Sequence, residues 1–154
     1  MNPRRSLVLL TSVALLVAAC TTGGGAMTSP FAPASSIPSA AATRIEVALT
    51  DSLKIEPAAM TVPRGTPVTF VVTNSGATDH EFYLGDEAAQ AAHEKEMTEM
   101  GGMAHDGPGG IALKPGETKE LTYTFAAVGE SLAGCHVVGH YGGGMKATIT
   151  VTGS

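Results

Sequence analysis

Residues 135–145, CHVVGHYGGGM, crowd a thiol (Cys135), two imidazoles (His136 and His140) and a thioether (Met145) among four glycines. Cys135, His140 and Met145 follow the spacing C-x4-H-x4-M, between ESLAG, which reads as the end of one strand, and KATITVT (146–152), which reads as another. A loop of that length can fold three donors round one ion, and Gly139, Gly142, Gly143 and Gly144 permit the tight turns this needs. Thiolate and thioether are soft donors, so the chemistry on offer is that of a soft or borderline metal.

A fourth ligand has to come from another part of the chain. His80, in NSGATDHEFYLG, stands where a turn becomes a strand, a position that a two-layered β fold can bring beside a distant loop. Two imidazoles, one thiolate and a weak axial thioether describe a blue-copper electron-transfer site. Structural zinc prefers four strong N or S ligands, and Met145 is a weak one. A cysteine nucleophile activated by histidine has no accompanying signature of a substrate cleft, and no C-x-x-C-H run supports covalent haem.

The elements that must hold these residues are mostly strands. RIEVALTD (44–51) alternates Ile45, Val47 and Leu49 with Arg44, Glu46 and Ala48, as a half-buried strand does. Two further short apolar runs flank a Pro-Arg-Gly-Thr-Pro turn within 53–76, and TKELTYTFAAVG (118–129) alternates again after KPGE. Many short strands separated by turns predict an all-β antiparallel sandwich or barrel. DEAAQAAHEKEMTEM (86–100) breaks the pattern: it is rich in helix formers, opens with acids and runs into Gly101-Gly102, which predicts one short inserted helix.

The first twenty residues, MNPRRSLVLLTSVALLVAAC, have a basic head, an apolar run too short to span a bilayer and small residues before a cysteine, the pattern of an export signal. VAAC (17–20) resembles the lipobox of bacterial lipoproteins, which implies a signal peptide over 1–19 and lipidation of Cys20. Residues 20–43, dominated by Gly, Ser, Thr, Ala and Pro, then read as a flexible tether, and 44–154 as the folded domain. The expected location is outside the cytoplasm, in the periplasm or at the cell surface, with the membrane reached through the lipid alone. Cys135 would have no disulfide partner there, and coordination is one way to protect such a thiol. Removal of Arg4 and Arg5 leaves seven of the nine basic residues against fourteen acidic ones, a formal charge of −7 that argues against nucleic acid as a partner.

His80 at a turn-to-strand junction, followed far downstream by CHVVGHYGGGM and a closing KATITV strand, resembles the cupredoxin family, and within it the plastocyanin-like and auracyanin-like exported proteins. The likeness covers about residues 44–152. It implies a Greek-key β-sandwich, one type 1 copper per chain held by His80, Cys135, His140 and Met145, a monomer, and redox proteins as electron donor and acceptor rather than an enzymatic reaction. It also implies that His140 turns a ring edge to solvent and that the Glu81 N–H donates to the cysteine sulfur. In related multicopper enzymes a histidine beside the copper cysteine serves a second metal. No H-x-H pair is present and the chain has five histidines, so His136 is expected to be a strand residue facing away from Cys135.

HEKEMTEMGGMAHDG (93–107) sets Met97, Met100 and Met103 three residues apart, between His93 and His105. Methionines at that spacing commonly pack one face of a helix. The other reading is a second, softer copper site made of His93, Met97, Met100, Met103 and His105. The alternative to an electron shuttle is accordingly a copper-tolerance protein that sequesters or oxidises Cu(I).

Overall fold

The structure, a computed structural model, describes residues 43–153. The expected signal segment, Cys20 and all of the expected tether except Thr43 lie outside the described residues. Nine strands and one helix follow in the order β1 (Thr43–Thr50), β2 (Lys54–Glu56), β3 (Ala59–Pro63), β4 (Pro67–Asn74), β5 (His80–Gly85), α1 (Glu87–Glu99), β6 (Gly110–Leu113), β7 (Thr118–Thr124), β8 (Gly129–Gly134) and β9 (Lys146–Thr152).

The strands form two sheets, one ordered β2-β1-β4-β7 and the other β3-β9-β8-β5-β6. Alternation along the strands sends Val47, Leu49, Val68, Phe70 and Val72 of the first sheet into the same core as Met60, Val62, Phe82, Leu84, Ile149 and Val151 of the second. Phe70 joins the layers, its ring 5.4 Å from Phe82 and 6.4 Å from Phe125. The expected β-sandwich with one inserted helix is the observed fold.

The sheets are mixed, not antiparallel throughout as the strand pattern suggested. β1 pairs with β4 and β3 with β9 in parallel. A parallel pair needs a crossover between its strands, and β3, which leaves the first sheet to join the second, supplies it for β1 and β4. Period-two alternation reports which face is buried and carries no information about strand direction. The short β6 was not resolved by the sequence pattern, since GIAL has too few residues to alternate.

Helix α1 starts at Asp86, whose side chain accepts the Ala89 N–H at 2.8 Å, and stops at Met100, before Gly101 and Gly102 in left-handed backbone (φ +76° and +75°). It buries Gln90, His93 and Met97, one face at spacings of three and four. The chain beyond the helix is strapped back on the sheets by Asp106, which accepts the Ala112 N–H at 2.8 Å and pairs with Lys119 at 3.1 Å.

Candidate metal centre

His80 opens β5 and is fully buried. The turn before it is held by Asn74, whose Oδ1 accepts the Gly76 N–H (2.9 Å) and whose Nδ2 donates to the carbonyls of Thr78 (2.8 Å) and Leu113 (3.1 Å). Cys135 follows the last residue of β8, also fully buried, and its N–H donates to the Met145 carbonyl at 3.1 Å. Between them the loop folds on itself. The His140 N–H bonds to Val137 O, Gly143 to Gly139 O, Gly144 to Tyr141 O and Met145 to His140 O, at 2.8 to 3.0 Å. Of its four glycines, Gly139 (φ +82°) and Gly144 (φ +93°) occupy backbone that other residues rarely adopt, whereas a Cβ on Gly142 would meet nothing.

This fold brings three of the four expected ligands together. Cys135 Sγ lies 3.4 Å from His140 Nδ1 and 3.8 Å from His80 Nδ1, and the two imidazole centroids are 5.0 Å apart. Among the described residues, these are the three His, Cys, Asp or Glu side chains whose donor atoms all fall within 4.8 Å of one another. A first-row ion bound at ~2.0 Å from nitrogen and ~2.3 Å from sulfur at trigonal angles needs N···S separations of roughly 3.7 Å. The observed pair brackets that value, so the donors fit a single metal. Met145 is fully buried in the same core cluster as Cys135, one backbone hydrogen bond away from it.

Burial pushes the Cys135 thiol up to about 11, against the opposing pull of the Glu81 and Val137 N–H groups. Without a metal the sulfur therefore keeps its proton at neutral pH, and binding a cation has to release it. The Glu81 N–H reaches Sγ at 3.3 Å, the contact expected to tune the sulfur. Burial, followed by the neighbouring His80, lowers the His140 pKa, which keeps its ring neutral and able to bind a metal. His140 is partly exposed while His80 is fully buried, so of the two imidazoles His140 is the one nearer solvent.

A sequence profile of the cupredoxin-like domain matches residues 10–101, more than half of the chain. The chain belongs to the cupredoxin-like family. The matched segment includes His80 and ends before Cys135, so the placement of Cys135 and His140 beside it rests on the geometry above. The chain is 36% identical to the copper-resistant cuproprotein CopI of Rubrivivax gelatinosus over 107 residues, 70% of this chain and 65% of that protein. It is also 36% identical to CopI of Pseudomonas aeruginosa over 140 residues, 72% of this chain and 77% of that protein. The chain thus spans just under two thirds of the Rubrivivax relative. Among solved structures, the reduced auracyanin of Roseiflexus castenholzii superposes with a TM-score of 0.64 at 28% identity, over 72% of this chain and 98% of that one.

In this cupredoxin His136 is not a strand residue, because β8 ends at Gly134. Its side chain does leave the sulfur and turns to α1. The buried ring faces Glu94 Oε2 through Nδ1 (2.6 Å) and Gln90 Oε1 through Nε2 (2.7 Å), and it stacks on Tyr141 with centroids 4.4 Å apart. Both ring nitrogens face oxygen atoms, and burial pulls the ring pKa down against the opposing pull of the Glu94 hydrogen bond. Gln90 in turn is fixed by its Nε2 against the carbonyls of Tyr83 and Leu132 (3.2 and 3.1 Å). Glu81, fully buried, places Oε1 2.9 Å from His93 Nε2 and accepts the His136 N–H at 3.3 Å.

The helix segment divides by exposure. His93 is enclosed by Glu81 and Glu96, stacks on Tyr83 (3.9 Å) and lies 5.6 Å from the His105 ring. Met97 is buried, whereas Met100 (46% exposed) and Met103 (71% exposed) face solvent. Packing, the first of the two readings of this stripe, holds for Met97 alone. Asp51, Gln90 and Glu94 were not singled out from sequence. The spacing of Gln90, His93, Glu94 and Met97 at i, i+3, i+4 and i+7 marks a common helix face, but polar residues on such a face read as solvated.

Proposed function

We propose that this chain binds one type 1 copper through the His80 and His140 imidazoles and the Cys135 thiolate, with Met145 as axial thioether, and that it carries single electrons between redox proteins outside the cytoplasm. The observation that carries this reading is the convergence of Cys135 Sγ with two Nδ1 atoms at 3.4 and 3.8 Å in a buried pocket. Bound copper supplies the one-electron change between Cu(II) and Cu(I). The chain supplies rigidity: His80 is anchored at the start of a central strand, while Cys135, His140 and Met145 are fixed by the backbone bonds of their loop. A site held from two parts of a sandwich changes shape little when its charge changes, which favours fast transfer. His140, on the solvent side, is the port. Export with lipidation at Cys20 suits this role, and no enzymatic turnover is assigned to it.

The exposed Met100 and Met103 favour a second reading, copper tolerance through sequestration or oxidation of Cu(I), and the names of the two copper-resistant relatives agree with it. One experiment separates the two. The mature protein is expected to show an intense visible thiolate-to-copper band and one copper per chain, with the band lost in Cys135→Ala. A colourless chain holding zinc would overturn the copper reading. A second copper that disappears when Met100 and Met103 become leucine would move the function to copper handling.

A further inference from the structure

Asp51 sits in the turn after β1, far from the ligands in sequence, and is drawn against them by hydrogen bonds. Its Oδ2 accepts the Ala77 N–H at 2.7 Å, and its Oδ1 accepts from Thr78 Oγ1 at 2.8 Å, from the Thr78 N–H at 3.3 Å and from His80 Nε2–H at 3.3 Å. The opposite nitrogen of the same ring, Nδ1, is the one that faces Cys135 Sγ. The imidazole therefore bridges a carboxylate and the thiol. The fit leaves no spare room: a Cβ on Gly76 would lie 2.3 Å from Asp51 Oδ1 and 3.0 Å from His80 Nε2.

We propose that Asp51 is a positioning residue for the metal centre, which fixes His80 with its proton on Nε2 and, through its negative charge, strengthens the Nδ1 lone pair and biases the site toward Cu(II). The inference rests on the copper-binding reading above. Two effects are involved. Any acceptor at this place fixes the tautomer and the ring plane, but only a carboxylate adds charge, and extra electron density on the imidazole stabilises the more highly charged oxidation state. Every partner of the Asp51 oxygens is a donor, the Ala77 and Thr78 N–H groups, the Thr78 hydroxyl and the His80 ring, the set a carboxylate accepts. Among the described residues His140 has no hydrogen-bonded carboxylate, so the two imidazoles are unequal, one buried and charge-assisted and the other near solvent.

The test uses the full chain with three substitutions. Asp51→Asn keeps one acceptor oxygen and removes the charge. Its Cu(II) affinity is expected to fall about tenfold to a hundredfold, the usual cost of losing such a partner. Its Cu(I) affinity should fall less, so that the reduction potential rises by about 59 mV for each tenfold of difference. Asp51→Ala removes the acceptor as well, and nitrogen NMR of the metal-free chain should then show His80 as a mixture of tautomers in place of the Nε2–H form. Thr78→Val cuts one bond of the turn to Asp51 and leaves the charge on His80, so its potential should stay at the wild-type value. Wild-type potential and wild-type tautomer in both Asp51 variants overturn the proposal, as does a Thr78→Val shift equal to that of Asp51→Asn, which would assign the effect to loop movement. A wild-type chain without the copper band would overturn the functional reading itself, a separate and visible failure.

Discussion

Replacing His136 with alanine tests whether this ring locks the copper loop to α1 or serves a metal of its own. The ring is 2% exposed, and its removal leaves a void between Gln90, Glu94 and Tyr141. Loss of a buried ring of this size costs about 2–3 kcal/mol through packing and cavity terms. Gln90 Oε1 then loses its partner in a place where Gln90 is fully buried, adding about 1–2 kcal/mol, whereas Glu94, nearly half exposed, can turn to water. The total is about 3–5 kcal/mol out of the ~5–15 that hold a domain together. For a domain of this size a drop of that order lowers Tm by about 12–20 °C. His136→Phe refills the void and can keep the stack on Tyr141, but it loses the hydrogen bonds and its larger ring crowds the niche, so it should still be less stable than wild type.

Urea and thermal unfolding, followed by circular dichroism, measure these losses, and the visible band reports the copper site in parallel. The ring turns away from Cys135 Sγ, so the alanine variant should still bind one copper with the band at its wild-type wavelength. A stability change under about 1 kcal/mol would refute the argument that the Glu94–His136–Gln90 chain ties the loop to the helix. Loss of a second bound metal in His136→Ala would refute the assignment of this histidine to a structural role.

Gly134→Ala should be destabilising by about 1–3 kcal/mol, because the new Cβ would lie 2.5 Å from Gln90 Oε1 and 2.8 Å from the Tyr141 ring, and both are pinned; Gly142→Ala, with nothing within 4 Å, is the neutral control in the same urea series. Asp106 contributes to acid sensitivity with a defined sign. The Ala112 N–H, followed by Lys119, depresses its folded-state pKa, so its contribution is present above the unfolded value near 4 and is lost as pH falls through the folded value. Asp106→Asn should therefore lower the urea midpoint above pH 4, by an amount kept small by the exposure of the carboxylate, and converge on the wild-type midpoint as pH falls below the folded value, which flattens the acid decline. An unaltered pH profile in that variant would show that the strap beyond α1 carries no such linkage.

The cluster of His80, Cys135 and His140 was legible because its donors are rare: Cys135 and His140 sit five residues apart in one loop, and only His80 had to be recruited from a distance. The residues that condition those ligands were not legible, and the reason is physical. Asp51 reaches His80 across 29 positions, and Gln90 reaches His136 across 46, so nothing local marks either pair. Each lies in a stretch whose composition has a sufficient local explanation, Asp51 in a turn and Gln90 in a helix. The same limit explains the sheets: alternation told which side chains of β1 and β4 face the core, while their parallel pairing depends on where β3 goes in between. His136 shows both halves of this. Its direction, away from the sulfur, follows from the residue beside it being turned inward, but the polar niche that receives it is built by α1, a helix whose amphipathic face carries Gln90, His93 and Glu94 where apolar residues would ordinarily stand. A buried face of that composition is stable only if its groups are paired, and the inserted helix is thereby matched in register to one histidine on the copper loop.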